Sequence, residues 1–278
     1  MAVRSRLQEI VEMASLPCIT EDEQRALLHI VVVGGGPTGV EISAEMTDLI
    51  HDDFSVLYPD LKDKFSIAIH DVAAQILSPF DEKLQQHALA AFKRSGVVVK
   101  TGSHITNVEA GVLETKEDGK IQYGMLIWAT GNKQVPLVDT LKVAKSTRLP
   151  RILTDDHLRP LDPDGQPIES AFAIGDAADI KDGELPTTAE VACQKGAYIA
   201  KTLNTASTGA FEYYQRALVA YTGQHDGVVT GKQDWSGKGA WMAWRSKNLL
   251  WSRSWRNKIL ITMNWSLDYV FGKEIARA

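Results

Sequence analysis

The chain has 278 residues, enough for one large or two modest domains at about 100–200 residues each. Its net charge of −5 argues against a nucleic-acid partner, and a hydrophobic share of 44% allows a sizeable core. Cys18 and Cys193 stand far apart and form no C-x-x-C, and the seven histidines show no metal-ligand spacing, so neither a disulfide framework nor a zinc site is indicated.

In chain order, Val3, Leu7, Ile10, Val11 and Ala14 recur at helical spacing. Arg4 and Arg6 are balanced by Glu9 and Glu12, so this start reads as an amphipathic helix rather than an acid-poor transit peptide. Pro17 ends the helix, and Thr20-Glu21-Asp22-Glu23 reads as the N-cap and first turn of a second one. From His29 the run HIVVVGGGPTGVEISAE gives a β-branched strand that stops at three glycines and restarts as a helix. Gly34, Gly36 and Gly39 make G-x-G-x-x-G between strand and helix, the arrangement of a dinucleotide-binding βαβ unit. Gly34 suits a tight turn, Gly36 a close backbone approach to pyrophosphate, and Gly39 close packing of helix on strand. The phosphates would face free N–H groups at a helix N-terminus.

Residues 51–64 read as a polar connection, and the next strand, Phe65 to Ile69, ends at His70-Asp71. An acid that holds the adenosine ribose usually lies about 20 residues past the glycines. Asp71 lies 37 positions past Gly34, so the connection carries an insertion. Asp71 remains the candidate because it ends the second strand, and a carboxylate there favours NADH over NADPH; the alternative is a solvated turn acid. A helix is expected over 80–95, a strand over 96–100, and a small hairpin arm over 105–115. A buried strand, Met125 to Ala129, ends at Thr130-Gly131-Asn132, and after a loop-rich stretch a second apolar strand, Ala171 to Ile174, ends at Gly175-Asp176. A glycine at a parallel strand's end lets backbone approach a ligand. Asp176 alone reads equally well as a turn acid. Pro186-Thr187-Thr188 then cap a helix from Ala189 to Leu203 that carries Glu190 and Gln194.

The C-terminal stretch differs in character. From Trp235 onward there are eight Lys/Arg against two Asp/Glu, a balance of +6 that leaves −11 for residues 1–234, and six of the seven tryptophans lie there. Basic residues interleaved with tryptophan point to a membrane surface. Trp251, Trp255, Ile259 and Met263 recur every four residues, with Arg253, Arg256 and Lys258 in reach of anionic headgroups, so an in-plane helix is expected. A helix packed on its own domain, or a dimer interface, is the alternative. No stretch approaches the roughly 20 apolar residues of a spanning helix. No EF-hand loop is present either, so calcium regulation is not expected.

HIVVVGGGPTGVE (29–41), YGMLIWATGN (123–132), FAIGDAAD (172–179) and PTTAEVACQ (186–194), with the Trp-rich basic tail, resemble the type II, non-proton-pumping NADH:quinone oxidoreductases of mitochondria and bacteria. SLPCITEDEQRALLHIVVVGGG and the ending DYVFGKEIARA look like the fungal and plant mitochondrial members. The resemblance implies an α/β, Rossmann-like two-dinucleotide-binding flavoprotein fold, here partial, with a C-terminal amphipathic helical membrane-anchoring segment. It implies a helical lead-in over 1–28, an NADH-binding domain over 29–125, the second half of an FAD domain over 126–206, and a membrane-surface or dimerisation segment over 207–278. The family's first FAD half would precede this chain. By the same resemblance Gly34, Gly35, Gly36, Pro37, Thr38 and Gly39 would hold the NADH pyrophosphate, and Asp71 the ribose. Thr130 and Gly131 would line the dinucleotide site, and Gly175 with Asp176 would hold the ribityl–phosphate part of FAD. Glu41 would lie near the nicotinamide, and Gln194 and Glu190 against flavin and quinone, although the family commonly has glutamine at the position of Glu190.

The implied activity is FAD-dependent, non-electrogenic hydride transfer from NADH through flavin to ubiquinone, by a peripheral protein of the mitochondrial inner membrane that pairs as a homodimer. Two other readings stay open. One is a non-catalytic NADH-binding fragment that cannot hold FAD alone. The other is a soluble disulfide reductase, against which stand the missing C-x-x-C and the basic tail.

Overall fold

The computed structural model describes residues 2–131, 133–147, 149–205, 209–231, 233–252 and 254–272. Asn132, Arg253 and the final residues of DYVFGKEIARA lie outside them. The chain forms two units, one of residues 1–130 with 216–278 and the other of 131–215.

The first unit opens with α1 (Ala2–Ala14) and α2 (Glu21–Leu27). Leu7, Ile10, Val11 and Ala14 of α1 are buried, as their spacing predicts. Thr20 caps α2 with a full capping box: its hydroxyl accepts from Glu23 N, and the Glu23 carboxylate accepts from Thr20 N at 2.8 Å. Strand β1 (His29–Val33) leads through the glycines into α3 (Pro37–Leu49). Where the sequence reads as a polar connection, the helix instead runs on through a π-helical turn (Ile50–Phe54), α4 (Ser55–Leu57) and a 3₁₀ stretch (Pro59–Lys64). Phe54 and Leu61 anchor this insertion in the core, which is why a stretch of polar residues stays ordered. It also accounts for the long spacing to β2 (Ser66–Asp71).

Next come α5 (Glu82–Ser95), capped by Asp81 and ended by left-handed Gly96, and β3 (Val98–Thr101). The expected hairpin arm is a three-stranded meander of β4 (Ile105–Glu109), β5 (Val112–Thr115) and β6 (Gly119–Gln122). The third strand escapes the sequence because Gly119-Lys120-Ile121-Gln122 carries a single apolar residue. Strand β7 (Met125–Trp128) then pairs with β1, giving a parallel sheet of order β3-β2-β1-β7. This pairing, rather than the boundary at 125 that the resemblance implies, places β7 with the first unit. It is the outer strand, so Trp128 is 56% exposed where a buried strand is expected.

The second unit holds α6 (Pro136–Thr140), a parallel pair β8 (Ile152–Thr154) and β9 (Ala178–Ile180), and α7 (Ala189–Thr205). The strand expected over Ala171–Ile174 is absent. Ile174 is extended, but among the described residues no neighbouring strand makes a ladder with this stretch; Ala173 N donates to Leu158 O at 3.0 Å.

The chain returns to the first unit with an antiparallel sheet, β10 (Leu218–Gly223), β11 (Asp226–Thr230) and β12 (Trp235–Ser236), then α8 (Lys238–Trp251) and α9 (Trp255–Phe271). The C-terminal stretch is therefore not helical throughout: Ala220, Tyr221 and Val228 of the hairpin join the core beneath α3 and α5. The alternating residues of β1 explain the layers. Ile30 and Val32 face the helices, whereas Val31 and Val33 meet Leu113 of the meander.

Phe92 is fully buried in the helix-side core. Phe92→Ala should lower unfolding stability by about 3–5 kcal/mol, read as a reduced midpoint in urea denaturation.

Candidate functional site

The carboxyl ends of β1 and β7 meet where the sheet order reverses, the position at which open α/β sheets take ligands. Gly34, Gly35 and Gly39 are buried there, while Pro37 and Thr38 are exposed. Gly34 has φ +117°, and a Cβ on it would fall 2.6 Å from Thr130 Cγ2 and 2.9 Å from Ala129 O. A Cβ on Gly39 would lie 1.8 Å from Gly34 O, so only glycine lets α3 approach the turn. Nothing lies within 4 Å of the Cβ position of Gly36, which leaves its backbone open at the N-cap of α3. Pro37 at the first helical turn removes an N–H that the helix could not satisfy internally.

Asp71 reaches this turn from the end of β2. Its carboxylate accepts from Gly35 N and, through the other oxygen, from Ala73 N at 2.7 Å. The side chain is thus fixed beside the glycines, and the two oxygens keep lone pairs for a further donor. Gly34–Gly39, Asp71 and Thr130 come together.

Glu41, one turn into α3, faces the other way. Its carboxylate accepts from Trp244 Nε1 at 2.8 Å and from Tyr221 N at 3.3 Å, joining α3 to β10 and α8. Asp48, two turns on, accepts from the Tyr221 hydroxyl and from Gln224 N at 3.0 Å. Burial, then the Asp48 carboxylate, pushes the Tyr221 phenol far up, so it stays a donor. Tyr221, Trp244 and Asp48 were not singled out in the sequence. Nothing in their local spacing marks residues that meet only across long chain separations.

In the second unit, Gly175 (φ +80°) turns the chain and leaves Asp176 exposed. Gly175 and Asp176 share a small cleft with Thr187, Thr188 and Lys195 at the start of α7. Thr188 caps α7, its hydroxyl accepting from Val191 N at 3.3 Å. Gln194 is committed within the unit: its amide donates to Glu190 at 2.7 Å and to Tyr214 O at 2.8 Å, and accepts from Tyr214 N at 3.1 Å. Gly131 (φ +69°) opens the unit. Lys195, which the sequence places on the same helix as Glu190 and Gln194 without a role, is only 1% exposed. Burial holds its ammonium below the usual lysine range, opposed by the attraction of Asp179. Asp179 in turn takes both its oxygens to Arg151 Nη1, at 3.0 and 3.1 Å.

A parallel sheet with a glycine-lined turn and an acid at the next strand's end defines a dinucleotide-binding α/β protein, and the model of the family "Pyridine nucleotide-disulphide oxidoreductase" matches residues 8–196. The chain belongs to that family. Among its relatives, the "Probable NADH dehydrogenase" of Dictyostelium discoideum is 35% identical over 99% of this chain and 61% of its own length. The "Internal alternative NAD(P)H-ubiquinone oxidoreductase A1, mitochondrial" of Solanum tuberosum is 31% identical over 99% and 59%. The solved structure of NDH2 from Plasmodium falciparum in complex with NADH superposes with a TM-score of 0.90 at 20% identity, covering 99% of this chain and 72% of that one. The chain spans about 60% of the length of the curated relatives it matches.

Glu41 also sets a pH dependence. Burial raises its pKa above the ordinary 4.5, more than the bonds from Tyr221 and Trp244 lower it. The unfolded chain therefore loses this proton first as pH rises, and the stability present below pH 4.5 declines as pH climbs through the folded-state value. Glu41→Gln keeps an acceptor for both donors without the buried charge. Denaturation midpoints of Glu41→Gln should fall less than those of the parent between pH 4.5 and 7.

Proposed function

We propose that this chain serves an FAD-dependent NADH:ubiquinone oxidoreductase of the non-electrogenic, type II kind, contributing its NADH site and one face of its flavin site. The observation that carries the reading is the turn at the sheet's reversal point, where Gly36 stands open and Asp71 is fixed beside it. The free N–H groups at the start of α3 suit a pyrophosphate, and the Asp71 carboxylate suits ribose hydroxyls and repels a 2′-phosphate. Gly34 and Gly39 make the turn, Pro37 and Thr38 form its outer lip, and Thr130 edges the site.

For the flavin, the cleft of Gly175 and Asp176 at the capped start of α7 offers polar contacts to a ribityl chain, and buried Lys195 adds a positive charge at its wall. When bound, FAD supplies a two-electron acceptor for NADH and a donor to quinone. The chain's own part is to orient and to exclude water. Gln194 and Glu190, braced on Tyr214, form the quinone-side wall, and Glu41 holds α3 in place rather than touching the nicotinamide.

Helix α9 supports a peripheral position on the mitochondrial inner membrane. Trp255, Ile259, Met263 and Leu267 follow one another at four-residue steps and are all exposed, Trp255 at 78%. Trp251 is not part of this stripe, because α8 ends at it and Ser252 is extended. The same C-terminal tail would also support pairing of two copies. No helix among the described residues is long and apolar enough to cross a membrane.

Titrating the purified chain with FAD and then NADH tests the reading. A bound-flavin spectrum bleached by NADH, and oxidised again by a soluble ubiquinone analogue, is expected. Asp71→Asn should weaken NADH binding at least tenfold. NADH binding with no flavin spectrum would leave only a nucleotide-binding fragment. For the membrane face, Ile259→Asp with Met263→Asp should abolish co-sedimentation with cardiolipin-containing vesicles while NADH fluorescence titrations stay unchanged.

A further inference from the structure

The glycine turn has a second support, in the segment that follows β2. Leu77 N donates to Gly35 O at 2.7 Å, and a Cβ on Gly35 would fall 2.5 Å from Ile76 Cγ2, so this segment lies directly on the glycine backbone. The Gly35 carbonyl and the Gly36 N–H belong to one planar trans peptide and point in opposite directions. Anchoring the carbonyl on Leu77 therefore aims the Gly36 N–H away from that segment. This N–H makes no hydrogen bond among the described residues, and the space around the Gly36 Cβ position is open.

Leu77 holds the carbonyl from a conformation that leucine rarely adopts. Its φ is +54°, in the left-handed region that favours glycine. Such a residue persists only where its surroundings over-determine it. Three contacts do so here. The Leu77 side chain is fully buried in the helix-side core. Its carbonyl accepts from Phe80 N at 2.8 Å. Gln85, buried in the first turn of α5, donates its amide to Phe80 O at 2.8 Å and to Leu77 O at 3.4 Å, bridging the two ends of the turn.

Gln85 is an expensive way to make that bridge. Its Oε1 is buried and meets no donor among the described residues, and a buried acceptor left unmade costs stability. An apolar side chain of the same length would fill the place without that cost. What the glutamine adds is its two donors, and both go to the segment that carries Leu77.

We propose that Gln85 and Leu77 are positioning residues for the dinucleotide. Gln85 keeps Leu77 left-handed, and Leu77 fixes the Gly35–Gly36 peptide so that the Gly36 N–H faces the pyrophosphate. The proposal rests on the reading of this turn as the NADH site.

The test titrates NADH and ADP-ribose, which share the pyrophosphate, by calorimetry into the parent chain, Gln85→Met and Phe92→Ala, with a urea midpoint for each. Methionine fills the place of Gln85 without its donors or its orphan oxygen, so the midpoint should change little. Gln85→Met should bind both ligands about fivefold more weakly, the scale of one net hydrogen bond. Phe92→Ala, the less stable variant, should bind both as the parent does while it is folded. Adding Leu77→Gly to Gln85→Met should recover the affinity, because glycine adopts the left-handed conformation freely. If that double variant does not fold, the comparison with Phe92→Ala decides. Equal affinities in the parent and Gln85→Met would overturn the proposal, as would a loss confined to NADH, a loss that Phe92→Ala shares, or a folded double variant that stays weak. A parent chain that binds neither ligand would overturn the NADH-site reading itself, and this proposal with it.

Discussion

The first unit depends on one close approach, that of Gly39 to the carbonyl of Gly34. A single methyl group at residue 39 would sit 1.8 Å from that oxygen, so α3 lies against the turn only because the side chain is missing. Other features of the turn follow from it. With α3 close, the N-cap falls on Gly36, where a Cβ would meet nothing within 4 Å. Asp71 can then bond Gly35 N, and Leu77 N can bond Gly35 O at 2.7 Å, which ties the turn to the segment after β2. Each contact needs backbone that a side chain would hold apart.

Helix α3 is also held from its far side. Glu41 and Asp48 lie seven residues apart, two turns on one face, and both carboxylates end on Tyr221 and its neighbours. A buried carboxylate is costly unless donors meet it. Glu41 has two donors, and burial still holds its pKa above the ordinary carboxylate value. The same helix thus presents its start to a ligand and its flank to the C-terminal hairpin. Displacement of Tyr221 or Trp244 would move the helix that carries Gly36.

The sequence made the parallel sheet and its glycine turn legible because those features are local. A β-branched run, three glycines and a helical period are read within twenty residues, and Asp71 could be found from the end of a strand. The capping box at Thr20 and the left-handed stop at Gly96 are local in the same way. What stayed hidden is what depends on distant partners. Glu41 gives no sign that its acceptors serve Tyr221 and Trp244, which lie 180 and 203 residues away. Lys195 can be placed on its helix from the sequence, but not its burial near Asp179. The apolar run Ala171–Ile174 has strand composition, but a strand also needs a neighbour, and composition says nothing of that. In the C-terminal stretch, tryptophan counts identified an amphipathic region without showing that its first part is a hairpin.

The six C-terminal tryptophans divide by environment rather than by sequence. Trp241 and Trp244 pack against the core, Trp265 lies under Arg245, and Trp255 stands in the open with Lys258 5.0 Å from its ring. One helix, α9, carries both kinds of face. Trp265, with Ile261, lines a cleft together with Trp241 and Tyr221, and Trp255, Ile259 and Met263 turn outward. A helix that merely packed on its own domain would bury its broader apolar side. Here the broader apolar side is exposed and the narrower one half-buried, with basic residues flanking the exposed stripe. That inversion is what an interface between water and hydrocarbon would stabilise, because each apolar side chain there loses water contact without needing a protein partner.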